Sequence, residues 1–240
     1  MSLRLCIAQN ADLSGLAAEK PDFVINRSRS EKISEFCEDS LGIRVYNSAR
    51  VTAVTNDKWK THLFLRGCGL PTADTVCIRT REDACGLPLP LVAKPPDGHG
   101  GAGVEWLQDG AALARALREQ PLPFLVQEPM QTGWDMRIYM LGGKIYRAVL
   151  RTSDGLRSNF SLGGRAEAVT PDAEARALAE AVQRVLPLDF AGIDLLRHPA
   201  GGYVIGEIED AVGCRMLYQC GGCDPARDFI RMIAAERGIL

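Results

Sequence analysis

Three carboxylates fall in two short apolar runs toward the C-terminal end of the chain: Asp194 in AGIDLL, and Glu207 and Glu209 in VIGEIEDAVG. Residues two apart on a strand point to the same side, so Glu207 and Glu209 share a face if their run is extended. Asp194 can face them from a neighbouring strand. Carboxylates gathered on one face repel unless a cation neutralises them. A hard oxygen cluster of this kind suits Mg2+, which keeps several waters and also binds substrate phosphates. The plainer alternative makes Glu209 and Asp210 solvated strand-end charges and Asp194 a turn cap, but the apolar neighbours of Asp194 and Glu207 weigh against simple solvation.

A second stretch with chemical potential is KPPDGHGGAGV, residues 94–104, in which Gly98, Gly100, Gly101 and Gly103 follow a lysine and two prolines. Glycines allow backbone N–H groups to close on an anion, and Lys94 adds a positive charge. The flanking runs make the stretch a tip joining two strands. That is not the strand-to-helix setting a Walker loop or a dinucleotide fingerprint requires. A phosphate cradle and a flexible hairpin with a half-buried lysine fit the residues equally well, and His99 has no assigned role. Opposite charge comes from Arg137, Arg151 and Arg157, the last followed by Ser158 and Asn159. Guanidinium forks suit phosphate and carboxylate, although an arginine on an exposed hairpin is often only solvated. Lys58 falls in the first turn of an expected helix, where the helix dipole disfavours a cation, so a solvated lysine competes with a functional one.

The elements that must position these groups follow from periodicity and punctuation. Residues 3–8, 23–26 and 44–47 are predicted strands, and 30–40 a helix, giving a βαβ-like opening over 1–48. A helix is expected from Asn56 or Asp57 to Gly67 or Gly69, then a strand at 75–78. After the glycine-rich tip come a helix at 109–119 and a strand at 124–128. That strand runs out at Gln127-Glu128-Pro129-Met130, a hinge between lobes, because proline cannot continue a ladder. Beyond it, 137–141 and 144–151 flank Gly142-Gly143 as a hairpin. A helix opens at Thr170-Pro171-Asp172, strands follow at 190–197 and 203–209, and a last helix covers 225–237. The divisions are 1–48, 49–124 with the glycine-rich tip, and 125–240 with the acidic strands.

The chain has 240 residues, a formal net charge of -2 and a pI near 6.0. These values leave no electrostatic footprint for nucleic acid and no basic run for an anionic membrane. No apolar run reaches the roughly 20 residues of a membrane span, so a cytoplasmic protein is expected, with homo-oligomerisation left open. The eight cysteines lack the density of a secreted disulfide framework and read as reduced thiols. Cys214, Cys220 and Cys223 keep a metal or redox module open as a distant alternative.

Taken together, the motifs resemble the ATP-grasp superfamily, and within it the RimK-type α-L-glutamate ligases, over residues 40–215 and in family order. Asn56-Asp57-Lys58 with Gly69-Leu70-Pro71 is similar to the lead-in helix, KPPDGHGGAGV to the glycine-rich loop and Val126-Gln127-Glu128 to the hinge. Asp135-Met136-Arg137 is similar to the D-x-R strand, Arg157-Ser158-Asn159 to the R-S-N element, and AGIDLL with Glu207-Ile208-Glu209 to the metal strands. The resemblance implies an α/β fold of two α+β lobes clamping ATP. Lys58, Lys94, Gly100 and Gly101 would serve the phosphates, and Gln127, Glu128 and Pro129 the adenine and ribose, with Asp135 beside the nucleotide. Arg157, Ser158 and Asn159 would serve ATP and the transferring phosphoryl, with Arg137 and Arg151 as further catalytic arginines. Asp194, Glu207 and Glu209 would hold Mg2+, with Mn2+ as an alternative. The chain departs from the family at Glu209, where asparagine is usual. The implied activity joins a carboxylate to an amine on an amino acid, peptide or small metabolite, through an acyl phosphate. Arg215 is a candidate for the acceptor carboxylate and equally a surface arginine. A phosphotransferase on the same ATP site and a non-catalytic nucleotide-binding regulator are the alternatives.

Overall fold

The computed structural model describes residues 4–5, 13–98, 101–153 and 165–238. Helix α1 (Leu13–Glu19) precedes a parallel pair, β1 (Phe23–Ile25) and β2 (Arg44–Tyr46). Between the strands lies α2 (Glu31–Glu35), capped by Ser30 and continued as a π-helical turn over Phe36–Ser40. Cys37, Ile43 and Val45 form the small core of this unit. The strand expected at 3–8 lies outside the described residues apart from Arg4 and Leu5, which belong to no regular element.

Two helices follow, α3 (Ala49–Thr55) and α4 (Lys58–Gly67). Ser48 caps the first, and Asp57 caps the second by accepting from Trp59 N and Lys60 N. Only α4 is legible beforehand. The sequence of α3, ARVTAVT, is rich in β-branched residues with low intrinsic helix preference, and burial against a sheet overrides that preference.

A four-stranded antiparallel sheet has the order β3 (Thr75–Ile78), β6 (Phe124–Gln127), β4 (Leu91–Lys94), β5 (Glu105–Leu107). The glycine-rich stretch joins β4 to β5, as its flanks predict. Helix α5 (Gly110–Glu119) covers one face, and Ile78, Ala93, Leu107, Ala116, Phe124 and Val126 form the core between them.

The second sheet has five antiparallel strands in the order β11 (Tyr203–Glu209), β10 (Phe190–Arg197), β7 (Trp134–Leu141), β8 (Lys144–Thr152), β9 (Arg165–Val169). One face buries Ile138, Met140, Ile193, Leu195 and Ile205 against Ala175, Ala179 and Val182 of α6 (Ala173–Val185). Val51 of α3 and Leu65 of α4 join the same core. The other face packs Tyr139, Val149 and Phe190 under α7 (Arg215–Cys220) and α8 (Pro225–Glu236), through Met216, Leu217, Phe229 and Ile233.

Two features of this sheet position the site. Asp194 opposes Glu207, but Leu195 opposes Ile205, so Gly206 is an extra residue in β11. Such a bulge shifts the alternation by one. Tyr203 and Ile205 therefore enter the apolar face, while Glu207 and Glu209 emerge on the other. A Cβ at Gly206 would stand 2.8 Å from Leu196 Cδ1, which makes glycine the residue that fits. The N-terminal unit is fastened to the same sheet by the buried Asn47. Its Nδ2 donates to Phe190 O (2.8 Å) and Asp210 O (3.1 Å), and its Oδ1 accepts from Asp189 N (2.7 Å) and Phe190 N (2.9 Å).

Among the described residues, no helix is long and apolar enough to cross a membrane. The described cysteines are free thiols; Cys37 and Cys77 are buried, Cys214, Cys220 and Cys223 are half-buried, and Cys68 and Cys85 are exposed.

Candidate active site

The register of the five-stranded sheet brings distant residues onto one face. Arg137 on β7 and Glu207 on β11 flank Asp194, and Asp135 on β7 opposes Arg151 on β8. Asp135, Arg137, Arg151 and Asp194 are all buried. Arg137 grips Asp194 with a fork, Nε to Oδ1 at 2.6 Å and Nη2 to Oδ2 at 2.7 Å, and its Nη1 lies 2.6 Å from Glu209 Oε2. Arg151 Nη2 donates to Asp194 Oδ2 at 2.8 Å, and its Nε donates to Asp135 Oδ1. Gly192 makes room for this crossing, since a Cβ there would stand 2.7 Å from Val212 Cγ2 and 3.3 Å from Arg137 Cδ.

Burial alone would raise the Asp194 carboxyl, but Arg137 and Arg151 outweigh it and hold the group well below the usual carboxylate range. Burial likewise opposes the Arg137 charge, and Asp194 and Glu209 more than restore it. Glu209 differs. Its carboxyl is raised by burial and by the charges of Asp194 and Glu207, against the pull of Arg137. Its buried Oε2 meets Arg137 Nη1 as an ion pair at 2.6 Å, without the alignment of a hydrogen bond.

Helix α4 supplies the second component. Lys58 Nζ lies 3.0 Å from Glu207 Oε1 and donates to Gly98 O of the glycine-rich stretch, while Lys58 N donates to Pro96 O at 2.9 Å. The cost of a cation in a first helical turn is offset by that carboxylate. Across the cleft, Lys94 Nζ donates to Gln127 Oε1 at 2.8 Å, and Gln127 Nε2 donates to Thr75 Oγ1 at 2.9 Å. A cavity of about 10 Å³ lies between these groups, lined by Lys58, His62, Lys94, Leu125, Gln127 and Ile205. The cleft is thus almost closed. A larger cavity of about 520 Å³, beside Asp172, Glu174, Arg197 and Tyr203, sits at the β10–β11 turn and shares no residue with the charged cluster.

The structure therefore gathers Lys58, Asp135, Arg137, Arg151, Asp194, Glu207 and Glu209, with Lys94 and Gln127 across the cleft. Glu128 faces elsewhere: its Oε1 accepts from Asp74 N at 2.8 Å and its Oε2 lies 3.9 Å from His198 Nε2, with Pro129 next on the hinge. Gly101 has a positive φ of 78° in the loop. Gly100, Arg157, Ser158 and Asn159 lie outside the described residues. Arg215 is exposed at the start of α7. Arg29, 3.9 Å from Glu209, and Asn47 have no motif in the sequence, because their partners stand far along the chain. Among the described residues, no three acidic, histidine or cysteine side chains converge as a metal cage by themselves.

Comparison with known proteins bears directly on this arrangement. The chain is 30% identical over 216 residues to beta-citrylglutamate synthase B of Danio rerio, covering 83% of this chain and 53% of that protein. It is 32% identical over 188 residues to N-acetylaspartylglutamate synthase A of Homo sapiens, covering 73% and 48%. A probable alpha-L-glutamate ligase of Pasteurella multocida is 27% identical over 225 residues, covering 87% and 72%. The chain thus spans about half the length of the first two relatives. Among solved structures, the ATP-grasp ligase PsnB with a phosphomimetic precursor variant, Mg and ADP superposes with a TM-score of 0.64 at 24% identity, covering 82% of this chain and 63% of that one. The ADP complex of purK, N5-carboxyaminoimidazole ribonucleotide synthetase, superposes at 0.68 and 14% identity, covering 84% and 56%. The fold is that of ATP-grasp ligases. Residues 55–233, which carry the lysines, the hinge and the acidic strands, match the RimK-like ATP-grasp domain, and the chain belongs to that family.

Proposed function

We propose that the chain is an ATP-dependent carboxylate–amine ligase that forms an amide or peptide bond and releases ADP and phosphate. A substrate carboxylate oxygen attacks the γ-phosphorus of ATP, and ADP leaves. The amine nitrogen then attacks the acyl carbon, and the phosphate departs as the amine proton is lost. Relatives named as glutamate ligases and glutamate-linking synthases support this chemistry. The observation that carries it is the position of Lys58, between the glycine-rich loop at Gly98 and the acid Glu207. Phosphoryl transfer asks mainly for positioning and charge, and both sides of a phosphate chain meet at this lysine.

In this reading Lys58, Lys94, Gly100 and Gly101 hold the phosphates, while Gln127, Glu128 and Pro129 border the base and ribose with Asp135 nearby. Arg157, Ser158 and Asn159 serve the transferring phosphoryl group. Arg137 and Arg151 act through Asp194, which they orient and keep ionised. The residues fit a divalent cation in donor type: Glu207 and Glu209 present hard carboxylate oxygens on one face of β11, and the neighbouring charges of Asp194 and Glu207 raise the Glu209 carboxyl. Mg2+, or Mn2+, held by Glu207 and Glu209 with Asp194 behind them would neutralise phosphate oxygens when bound. The substrates proposed are amino acids, peptides or small metabolites in a cytoplasmic setting.

The test is ADP release by the purified chain with MgATP over a panel of carboxylate and amine pairs, with mass spectrometry of the products. A condensed amide and stoichiometric ADP are expected. A stable phosphorylated product, or no turnover with any pair, would sink the ligase reading.

A further inference from the structure

Strand β11 orders the site along its length. Ile205 and Gly206 line the cleft with Lys94 and Gln127, Glu207 meets Lys58 and the glycine-rich loop, and Glu209 comes next. At about 3.4 Å per residue, Glu209 stands about 7 Å beyond Glu207, at the end of the acidic pair away from Lys58 and the glycine-rich loop. The residue waiting there is Arg29 of the N-terminal unit, with Nη2 3.9 Å from Glu209 Oε1.

The loop that carries Arg29 is built for its position. Asn26, buried at the end of β1, folds the loop around its amide: Nδ2 donates to Ser30 O (2.9 Å) and Ser34 Oγ (2.7 Å), while Oδ1 accepts from Ser28 N (3.0 Å) and Ser28 Oγ (2.6 Å). Arg27 Nη2 pins the loop to Val212 O, just past β11, at 2.5 Å. Arg29 itself has a φ of 63°, a left-handed conformation that costs a non-glycine residue free energy. Among the described residues its guanidinium has only the 3.9 Å ion pair, too long for a hydrogen bond, and its side chain is 35% exposed. A partly exposed pair of this kind contributes little stability, a small return for so shaped a loop.

We infer that Arg29 is the residue that receives the carboxylate of the acid substrate, at the acceptor end of the β11 track. The inference rests on the ligase reading above. A planar fork matches a carboxylate, and Glu209 orients the guanidinium without occupying its donors. The chain's glutamate at 209 and arginine at 29 then act together: the acid holds the arginine, and the arginine selects an anionic substrate.

The test uses the full chain and two variants. Arg29→Gly removes the side chain and suits the left-handed backbone, and Arg29→Lys keeps the charge but not the fork. MgADP is titrated into each protein by calorimetry, then L-glutamate, N-acetyl-L-aspartate and citrate are titrated into the MgADP-saturated proteins. At least one acid should bind the wild type. Arg29→Gly should weaken that acid at least tenfold and Arg29→Lys less, with MgADP affinity and melting temperature unchanged in both. No acid binding to the wild type, acid binding equal in wild type and Arg29→Gly, or a parallel loss of MgADP affinity would overturn the assignment. Absence of MgADP binding to the wild type would instead remove the nucleotide reading on which it stands.

Discussion

Lys94 shows how burial tunes a single charge. Removal from water pushes its ammonium down to about 8, with Lys58 adding to the shift and Glu207 opposing it. Above that pH the folded protein binds fewer protons than the unfolded chain, whose lysines titrate near 10.4. The cost of the buried charge is thus present below pH 8 and relieved as pH rises toward the unfolded value. Nucleotide affinity runs the other way, since a neutral lysine no longer attracts phosphate. MgADP affinity is expected to fall severalfold from about pH 7 to about pH 9, with proton uptake on binding above pH 8. Lys94→Arg should flatten the profile, because guanidinium stays charged. Calorimetry in buffers of different ionisation heat reads both quantities, and a flat wild-type profile would contradict the assignment. At Asp194 burial again disfavours the charge, but the two arginines that surround the group outweigh it.

At the scale of elements, the crossing of Arg137 over β10 depends on Gly192 having no side chain. Gly192→Ala should cost about 1–3 kcal/mol, the range for overpacking a well-filled site. It should also weaken the hold on Asp194, seen as a lowered urea midpoint together with reduced turnover. An unchanged midpoint would mean that Val212 and Arg137 yield freely. Most of the strands were legible, because alternating runs flank Gly142-Gly143 and the 198–202 turn, although a register shift in each hairpin was not. Strand β9 was not: RAEAV is a short, mostly exposed edge whose charges suit a strand that must avoid further pairing. The acids 207 and 209 were correctly placed on one face by their spacing alone. Spacing could not reveal that Arg137 and Arg151 are engaged by Asp194, since that depends on which strands become neighbours. Nor could it reveal Arg29, whose partner lies on β11.

For the whole molecule, the joint between the N-terminal unit and the five-stranded sheet runs through Asn47, supported by Arg44 paired with Asp189 at 2.6 Å. Asn47→Ala would leave several buried backbone groups without partners, each costing about 1–3 kcal/mol, so a loss of about 3 kcal/mol is expected in urea unfolding. Because the same unit carries Arg29, the variant should also loosen substrate binding more than nucleotide binding; equal losses in both would point to global disruption. The bulge at Gly206 has a consequence of its own. It resets the inward and outward sense of β11 midway, so the strand is two modules joined at one residue. Positions 203–205 can be exchanged for other core-filling side chains without altering how 207 and 209 are presented, and the acids can change without disturbing the core. Deleting Gly206 would make the pairing of 205 and 207 continuous and keep both halves on their present faces, at the loss of the local bend and twist that the extra residue gives β11.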